Sequence, residues 1–176
     1  MKRLFLFRHA KAVQANKDTA ADAERPLTKS GRADAARVGR AMREHGYHPD
    51  RILCSPSART KETLECANAE LRSAAPADYV DGIYDAPAGR LLSIAQALGA
   101  DAMRPMMVGH NPGFEEFAAL LVNDSGAPAF TGGGGKARFP TAGLAVLDFD
   151  VTEWKELEPH SGALVGFLKP RDLPGG

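Results

Sequence analysis

The sequence predicts an α/β protein of three layers, α/β/α, in which helices cover both faces of a mainly parallel central sheet. Two observations lead to this class: short apolar runs alternate with longer segments of helical period, and polar motifs follow several of those runs directly. The chain has 176 residues, of which 44% are hydrophobic and 25% charged, as in an ordinary globular domain. We therefore expect a single domain over residues 1–176.

Six apolar runs are predicted to form the strands of this sheet. They are Arg3–Phe7, Arg51–Cys54, a run near Tyr79–Tyr84, Pro105–Val108, Gly143–Phe149 and Ala163–Leu168. A short connecting segment that contains Trp154 joins the last two. The apolar part of the first run is only four residues long, whereas the core of a secretory signal needs about 7–15, so we predict a buried strand there.

Local boundary signals define four helices. Thr28 is predicted to cap the first helix, which Gly46 ends. Ser55-Pro56 and Asn111-Pro112 each place a capping residue before a proline at the first helical position. Gly99 follows the end of the remaining helix. The apolar face of that helix consists of Leu91, Leu92, Ala95 and Leu98.

The charge balance and the cysteine content exclude several classes of protein. Lysine plus arginine and aspartate plus glutamate each total 22, so there is no basic excess for a nucleic acid or a membrane surface. Cys54 and Cys66 are too few for a disulfide framework and suit a reducing cytoplasm. Neither cysteine has metal-ligand spacing, and we expect no metal and no cofactor.

Polar motifs follow three of the predicted strands. Arg8-His9 ends the first, Ser55–Arg59 follows the second, and Gly109–Gly113 follows the fourth. Ligands of open α/β sheets bind beyond the carboxyl ends of the strands, so these motifs are expected to converge. A fourth motif, Arg25–Thr28, lies on the long loop after the first strand and could fold over the same crevice.

These residue types suit phosphoryl transfer. The transferred group carries charge on three equatorial oxygens, and arginine grips such oxygens with a planar fork that never deprotonates. Arg8, Arg25 and Arg59 could supply this grip. A neutral imidazole is a competent nucleophile when its other nitrogen is held as a donor, which fits His9. His110 could donate to the phosphoryl oxygens in the transition state.

The order Arg8-His9-Ala10, Arg59 and His110 resembles the signature of the histidine phosphatase superfamily, also called phosphoglycerate mutase-like. Within it, the chain is most similar to the small SixA-type phosphohistidine phosphatases over nearly its whole length. Further matching segments are Arg25–Thr28 with Gly31, Cys54–Thr60 with Thr63-Leu64, Ile83-Tyr84, Val108–Pro112, Pro140–Gly143, Trp154 and Pro170-Arg171.

The resemblance implies a phosphoglycerate mutase-like fold and a phosphatase mechanism. By this resemblance His9 is the nucleophile, and the catalytic set is His9, His110, Arg8 and Arg59. The same resemblance assigns phosphate binding to Arg8, Arg25, Arg59 and His110, and it implies hydrolysis without a metal.

Two departures from the family pattern bear on the substrate. Ala10 replaces the usual glycine after the nucleophile. Many members place a glutamate after the third strand to protonate an alcohol leaving group, but here that region reads Ile83-Tyr84-Asp85. A phosphorylated imidazole leaves with less help than an alkoxide, so the sequence favours phosphohistidine. Asp85 and Tyr84 remain possible proton donors.

Three functions stay open at this point. The first is a phosphatase of a phosphohistidine protein, the second a phosphatase of a small phosphorylated metabolite, and the third a non-catalytic module that binds phosphate or a partner. Retention of His9 argues against the third. The loop around Gly132–Gly135 is predicted near the mouth of the site, and it lacks the Gly-Lys-Ser/Thr context of a phosphate loop. Glu115 and Glu116 are interpreted as acids that favour a helix N-terminus.

Overall fold

The computed structural model describes residues 1–15, 21–130 and 138–175. The predicted Gly132–Gly135 loop therefore lies outside the described residues. In the described part of the chain, no helix has the length and apolar character that crossing a membrane requires.

A six-stranded mixed sheet lies at the centre of the protein. Its strands are β1 (Lys2–Arg8), β2 (Arg51–Cys54), β3 (Ala77–Tyr79), β4 (Pro105–Gly109), β5 (Leu144–Phe149) and β6 (Ala163–Leu168). Their spatial order is β3-β2-β4-β1-β5-β6. The first four strands in the chain run parallel to one another, and β5 pairs antiparallel with both β1 and β6. The mainly parallel sheet that the sequence predicts is thus confirmed.

In the described ranges, four α-helices cover the two faces of this sheet. They are α1 (Lys29–Glu44), α2 (Ala58–Leu71), α3 (Ala88–Gln96) and α4 (Gly113–Leu121). Alternation along β1 sends Phe5 and Phe7 into the core under α1 and α2, and Leu4 and Leu6 into the core under α3 and α4. All four side chains are fully buried. The predicted three-layer α/β/α architecture follows directly from this alternation.

Several predicted boundaries agree with the structure. Thr28 caps α1 by accepting a hydrogen bond from the Gly31 amide at 3.0 Å. Gly46 follows α1 with φ at +69°, a conformation that glycine adopts without strain. The bounds of β2 and β6 are those predicted.

The start of α2 differs from the prediction based on Ser55-Pro56. The helix begins at Ala58, and Ser57 is the N-cap residue. The Ser55 amide instead donates to the Val108 carbonyl at 3.0 Å, which extends the β2–β4 ladder by one residue. Arg59 is consequently the second residue of the helix and does not lie a full turn inside it.

Asn111-Pro112 also has a different role from the predicted one. The helix α4 begins at Gly113, with Pro112 at the N-cap and a cis peptide bond before it. The Asn111 side chain still serves the helix start, because its Oδ1 accepts from the Glu115 amide at 3.2 Å.

Two further predicted boundaries were wrong. The third strand ends at Tyr79, and residues Asp81–Ile83 form a 3-10 helix instead of continuing it. Aspartate and glycine disfavour strands, and β3 is an edge strand that pairs only with β2. Helix α3 ends at Gln96, before Leu98, because the chain there tightens into bonds of 3-10 type such as Leu98 N to Ala95 O at 3.2 Å.

Gly39 is a position of close approach between α1 and α2, and its substitution tests this packing. A Cβ atom on Gly39 would lie 2.1 Å from the Ala67 carbonyl oxygen, so we expect Gly39→Ala to lower the free energy of unfolding by about 1–3 kcal/mol. The matched control is Gly89→Ala on α3, where nothing lies within 4 Å of an added Cβ.

Urea denaturation followed by circular dichroism measures both variants. The control is expected to be neutral or to gain up to about 1 kcal/mol from helix propensity. Equal stability of Gly39→Ala and the wild type would contradict the close crossing of α1 and α2. One transition for the wild type would support the single domain that remains a prediction.

Candidate active site

A polar cavity of about 480 Å³ opens at the carboxyl ends of β1, β2 and β4. Its lining includes the five predicted site residues Arg8, His9, Arg25, Arg59 and His110. The other lining residues are Lys11, Ala12, Gln14, Asp22, Asp85, Asn111 and Thr141. The structure thus brings the strand-end motifs and the Arg25 loop together, while the roles assigned to these residues stay predictions.

Strand register brings the two histidines together. Arg8 in β1 is the register partner of Gly109 in the parallel neighbour β4. His9 and His110 are the next residues in each chain segment, and their ring centroids lie 5.4 Å apart. The His9 amide donates to the Gly109 carbonyl at 3.0 Å and fixes this juxtaposition.

The ring of His9 is held in one tautomer. Its Nδ1 lies 2.7 Å from the Ala10 carbonyl oxygen, which can only accept, so Nδ1 carries the proton and Nε2 keeps its lone pair. Burial, followed by the charges of the nearby arginines, lowers the pKa of His9 from 6.5 to about 4, although the bond to Ala10 opposes this shift. The ring is therefore a neutral base with one available nitrogen at neutral pH.

Thr63 ties Ala10, the residue after His9, to α2. Its Oγ1 accepts from the Ala10 amide at 2.9 Å and donates to the Arg59 carbonyl at 2.6 Å. Ala10 and Thr63 are fully buried, and Arg59 is only 3% exposed. The backbone that carries His9 and the start of the helix that carries Arg59 thus share one hydroxyl group.

His110 has an unequal pair of nitrogens. Its Nε2 lies 2.7 Å from the Ser55 hydroxyl. Its Nδ1 is buried and has no hydrogen-bond partner among the described residues. Burial, followed by the charge of Arg59, lowers the pKa of His110 from 6.5 to about 3. Sequence reasoning took Ser55 for a helix cap and missed this contact, which joins residues far apart in the chain.

Arg8 and Arg59 are held in the same manner. Arg8 donates from Nη1 to the Phe139 carbonyl at 2.7 Å. Arg59 donates from Nη1 to the Asp22 carbonyl at 2.8 Å and from Nη2 to the Asp22 carboxylate at 3.1 Å. The Nε atoms of both arginines are buried and, within the described ranges, have no partner. Each guanidinium is therefore anchored by terminal nitrogens and retains an unused donor.

Glu115 anchors the segment that holds Arg8. Its Oε2 accepts from the Phe139 amide at 2.8 Å. The Phe139 carbonyl accepts from Asn111 Nδ2 at 3.1 Å in addition to Arg8. Glu115 thus does more than the predicted stabilisation of a helix N-terminus, whereas Glu116 is not among the described residues that line the cavity.

Arg25 lines the cavity, but its guanidinium group donates hydrogen bonds to Asp22 and to the Val13 carbonyl. Its Nε donates to Asp22 Oδ1 at 2.9 Å, and its Nη2 lies 2.8 Å from the same oxygen. Its Nη1 donates to the Val13 carbonyl at 2.8 Å. The predicted contact of Arg25 with phosphate would thus have to use donor hydrogens that these bonds leave over.

Asp22 is a cavity residue that sequence reasoning missed. It accepts hydrogen bonds from Arg25, from Arg59 and from the Tyr84 hydroxyl. The bond from Tyr84, followed by those from the arginines, holds the pKa of Asp22 well below its usual range. The spacing Asp-x-x-Arg before the loop motif was a visible but weak signal for this contact.

The two proton donors proposed from the sequence have different surroundings. The Tyr84 hydroxyl donates to Asp22, and this bond raises the pKa of Tyr84 above its ordinary value. Asp85 lines the cavity with φ at +47°, in the left-handed region that side chains rarely adopt. No glutamate belongs to the part of the cavity lining that the structure describes.

Among the described residues, this cavity has neither a cysteine nucleophile nor a set of metal ligands. Cys54 is buried in the core, where burial raises the pKa of its thiol to about 12, so it is no thiolate nucleophile. In the three described ranges, no group of three or more His, Cys, Asp or Glu side chains is arranged to hold a metal ion.

Two neutral imidazoles among arginines, at the strand ends of an α/β fold, are the groups that histidine-dependent phosphoryl transfer requires. A family model of the histidine phosphatase superfamily, branch 1, matches residues 4–114. The chain belongs to this superfamily.

Relatives of known sequence or structure support the same assignment. An uncharacterized protein of Mycobacterium tuberculosis is 34% identical over 164 residues, which cover 93% of this chain and 99% of that protein. The putative phosphohistidine phosphatase SixA from Agrobacterium tumefaciens matches with a TM-score of 0.79 and 30% identity, over 96% of this chain and 98% of that one.

A second structure, the putative phosphohistidine phosphatase SixA from Nakamurella multipartitia, matches with a TM-score of 0.78 and 29% identity over 96% of each chain. The predicted SixA-type assignment, phosphoglycerate mutase-like fold and phosphatase class are thereby confirmed.

The buried histidines are expected to titrate far below the ordinary range. Their folded-state pKa values, about 4 for His9 and about 3 for His110, lie below the reference value of 6.5. The unfolded chain therefore binds more protons between these values, and stability is expected to fall as the pH drops below 6.5.

Imidazole ¹⁵N NMR of the phosphate-free protein measures these pKa values and the His9 tautomer, with His9→Gln and His110→Gln assigning the resonances. A His9 pKa at or above 6.5, or a proton on its Nε2, would contradict the geometry described above.

Proposed function

We propose that this phosphatase removes phosphate from a phosphohistidine side chain of a protein through a phospho-His9 intermediate. One observation carries the proposal: Nε2 of His9 keeps an available lone pair in a cavity lined by Arg8, Arg25 and Arg59. The two SixA structures to which the chain is similar are named putative phosphohistidine phosphatases, which supports the same substrate.

In the first step, Nε2 of His9 attacks phosphorus in line with the departing imidazole nitrogen. The bond between phosphorus and His9 forms as the P–N bond of the substrate breaks. The electron pair of the broken bond stays on the leaving nitrogen, which takes up a proton. The His9 ring gains positive charge, and the Nδ1–H bond to the Ala10 carbonyl stabilises that charge.

Arg8, Arg59 and His110 stabilise the transferred group. The buried Nε donors of the two arginines are unused within the described residues and suit the equatorial oxygens. If the Ser55 hydroxyl donates to Nε2 of His110, the ring proton resides on Nδ1, which is the unpartnered nitrogen. His110 then donates to the phosphoryl group as a neutral imidazole.

In the second step, water hydrolyses phospho-His9 in the same arginine cage. Water oxygen bonds to phosphorus, the P–Nε2 bond breaks, and its electron pair returns to His9. The water protons pass to the phosphate and solvent, and His9 is restored with its proton on Nδ1. We propose that no metal or other cofactor takes part, since arginines supply the positive charge.

The cavity's acids favour phosphohistidine over a phosphate ester. An alkoxide needs a placed proton donor, but Asp22 is ionised and the Tyr84 proton is committed to it. Asp85 is the other carboxyl group in the described lining. A phosphorylated imidazole, with its weaker P–N bond, depends less on such a donor.

A small phosphorylated metabolite is the second candidate substrate. The observation in its favour is the cavity volume of about 480 Å³, which lies in the range of small-molecule pockets. Membership of the histidine phosphatase superfamily argues against the third function, a non-catalytic module. For either substrate we propose a cytoplasmic setting, because both cysteines are free thiols, and we expect neither nucleic acid nor membrane as a partner.

Loss of His9 is expected to abolish turnover. We expect His9→Ala to lower kcat/KM on a phosphohistidine-bearing protein by at least about 10³-fold, because it removes the nucleophile, while EDTA leaves the wild type unaffected. Phosphate release is measured beside p-nitrophenyl phosphate. His48→Ala, which alters an exposed imidazole outside the cavity, is the control.

The outcomes separate the three functions. Trapping of labelled phosphate on His9→Ala as well as on the wild type would exclude His9 as the nucleophile. Turnover of p-nitrophenyl phosphate or small phosphate esters without turnover of phosphohistidine would favour the second candidate. Inactivity on every phosphorylated compound would favour a binding module.

Ser55→Ala tests the donor role of His110. Loss of the hydroxyl removes the partner that assigns the ring proton to Nδ1, so we expect kcat to fall about tenfold, the scale of one hydrogen bond to a charged group. The ¹⁵N spectrum is expected to lose the Nδ1-protonated tautomer. Ser93→Ala, on the exposed side of α3, is the control, and wild-type kcat with an unchanged tautomer in Ser55→Ala would contradict this role.

A further inference from the structure

We propose that Asp22 is a positioning residue that orients Arg59 for phosphate binding. This inference rests on the proposed phosphate-binding role of Arg59, which it deepens. It concerns how the guanidinium is held before any substrate arrives, and it assigns Asp22 no direct contact with phosphate.

Asp22 engages both terminal nitrogens of Arg59. Its backbone carbonyl accepts from Nη1 at 2.8 Å and its carboxylate accepts from Nη2 at 3.1 Å. The Arg59 side chain is 4% exposed, whereas that of Asp22 is 46% exposed. The guanidinium is thus held on one edge by a residue at the cavity mouth, and its buried Nε has no partner among the described residues.

Arg8 repeats this arrangement with a different anchor. The Phe139 carbonyl accepts from a terminal nitrogen of Arg8, and the Nε atom of Arg8 is again buried without a partner in the described part of the chain. Two arginines on different elements therefore share one pattern, in which a protein acceptor holds the outer nitrogen and an inner donor is spare. The repetition favours an anchoring role for Asp22.

Other donors hold the Asp22 carboxylate itself in place. Arg25 contacts Oδ1 at 2.8 Å, and the Tyr84 hydroxyl donates to Oδ2. Asp22 thereby joins the loop after β1, the start of α2 and the segment after β3. A carboxylate with a donor on each oxygen has little freedom to rotate, which makes it a firm anchor for Arg59.

A carboxylate beside a phosphate site could instead act as a competing anion. In that case its removal would strengthen phosphate binding. Two observations favour the anchor. The charge of Asp22 is already paired with Arg25, which limits its repulsion of a ligand. The charged side chains of the described lining, with Asp22 among them, leave a net charge of +2, which matches a phosphoryl dianion.

Binding of inorganic orthophosphate to Asp22→Asn tests the proposal by isothermal titration calorimetry. The dissociation constant is expected to rise about tenfold or more, the scale of one charged hydrogen bond, and Asp22→Ala is expected to lose at least as much. Asp78→Asn is the matched control, since Asp78 is similarly exposed and pairs with Arg51 at 2.6 Å away from the cavity.

The same measurement in an Arg59→Ala background tests whether Asp22 acts through Arg59. Asp22→Asn is expected to change orthophosphate binding less there than in the wild type, because the group it positions is gone. Unchanged denaturation midpoints exclude loss of folding as the cause.

The possible results distinguish an anchoring role of Asp22, a competing anion and a failure of the proposed role of Arg59. Tighter orthophosphate binding by Asp22→Asn would overturn the anchor in favour of a competing anion, and unchanged binding would overturn any positioning role. If Arg59→Ala itself binds orthophosphate as the wild type does, the proposed phosphate role of Arg59 fails instead, which distinguishes the two proposals.

Discussion

The parallel pairing of β1 with β4 is the constraint on which the site depends. It makes Arg8 and Gly109 register partners, so the next residues, His9 and His110, leave the sheet side by side. Because β2 flanks β4 in the same direction, Ser55 and the start of α2 reach the same edge. A shift of one residue in this register would turn the side chains of β1 to the opposite faces and separate the two rings.

Three guanidinium groups around one cavity create an electrostatic cost that the protein offsets with its own acceptors. Arg8 is held by the Phe139 carbonyl, while Arg25 and Arg59 are held by Asp22. These acceptors come from segments far apart in the chain. The hydrogen bonds that hold the arginines therefore also hold the connecting loops at the sheet edge.

Local signals explain what could be predicted from the sequence. The alternation of strands and helices predicted the layers and most of the sheet, and the motifs after three strands, together with the Arg25 loop, predicted the five cavity residues. Ser55 was misassigned because its hydroxyl bonds His110, 55 residues away. Asp22 was missed because its contacts with Arg59 and Tyr84 span 37 and 62 residues. No periodicity or capping rule carries information about such pairs.

The arginines that contribute to the low pKa of His9 are also expected to stabilise the proposed phosphorylated His9. Burial and the neighbouring arginines disfavour a lone positive charge on the ring, which keeps the free nucleophile neutral. Phosphorylation adds a positive charge to the ring together with two negative charges on the phosphoryl group. The same arginines then attract the net negative charge, so a cavity that penalises protonation of His9 favours its phosphorylation.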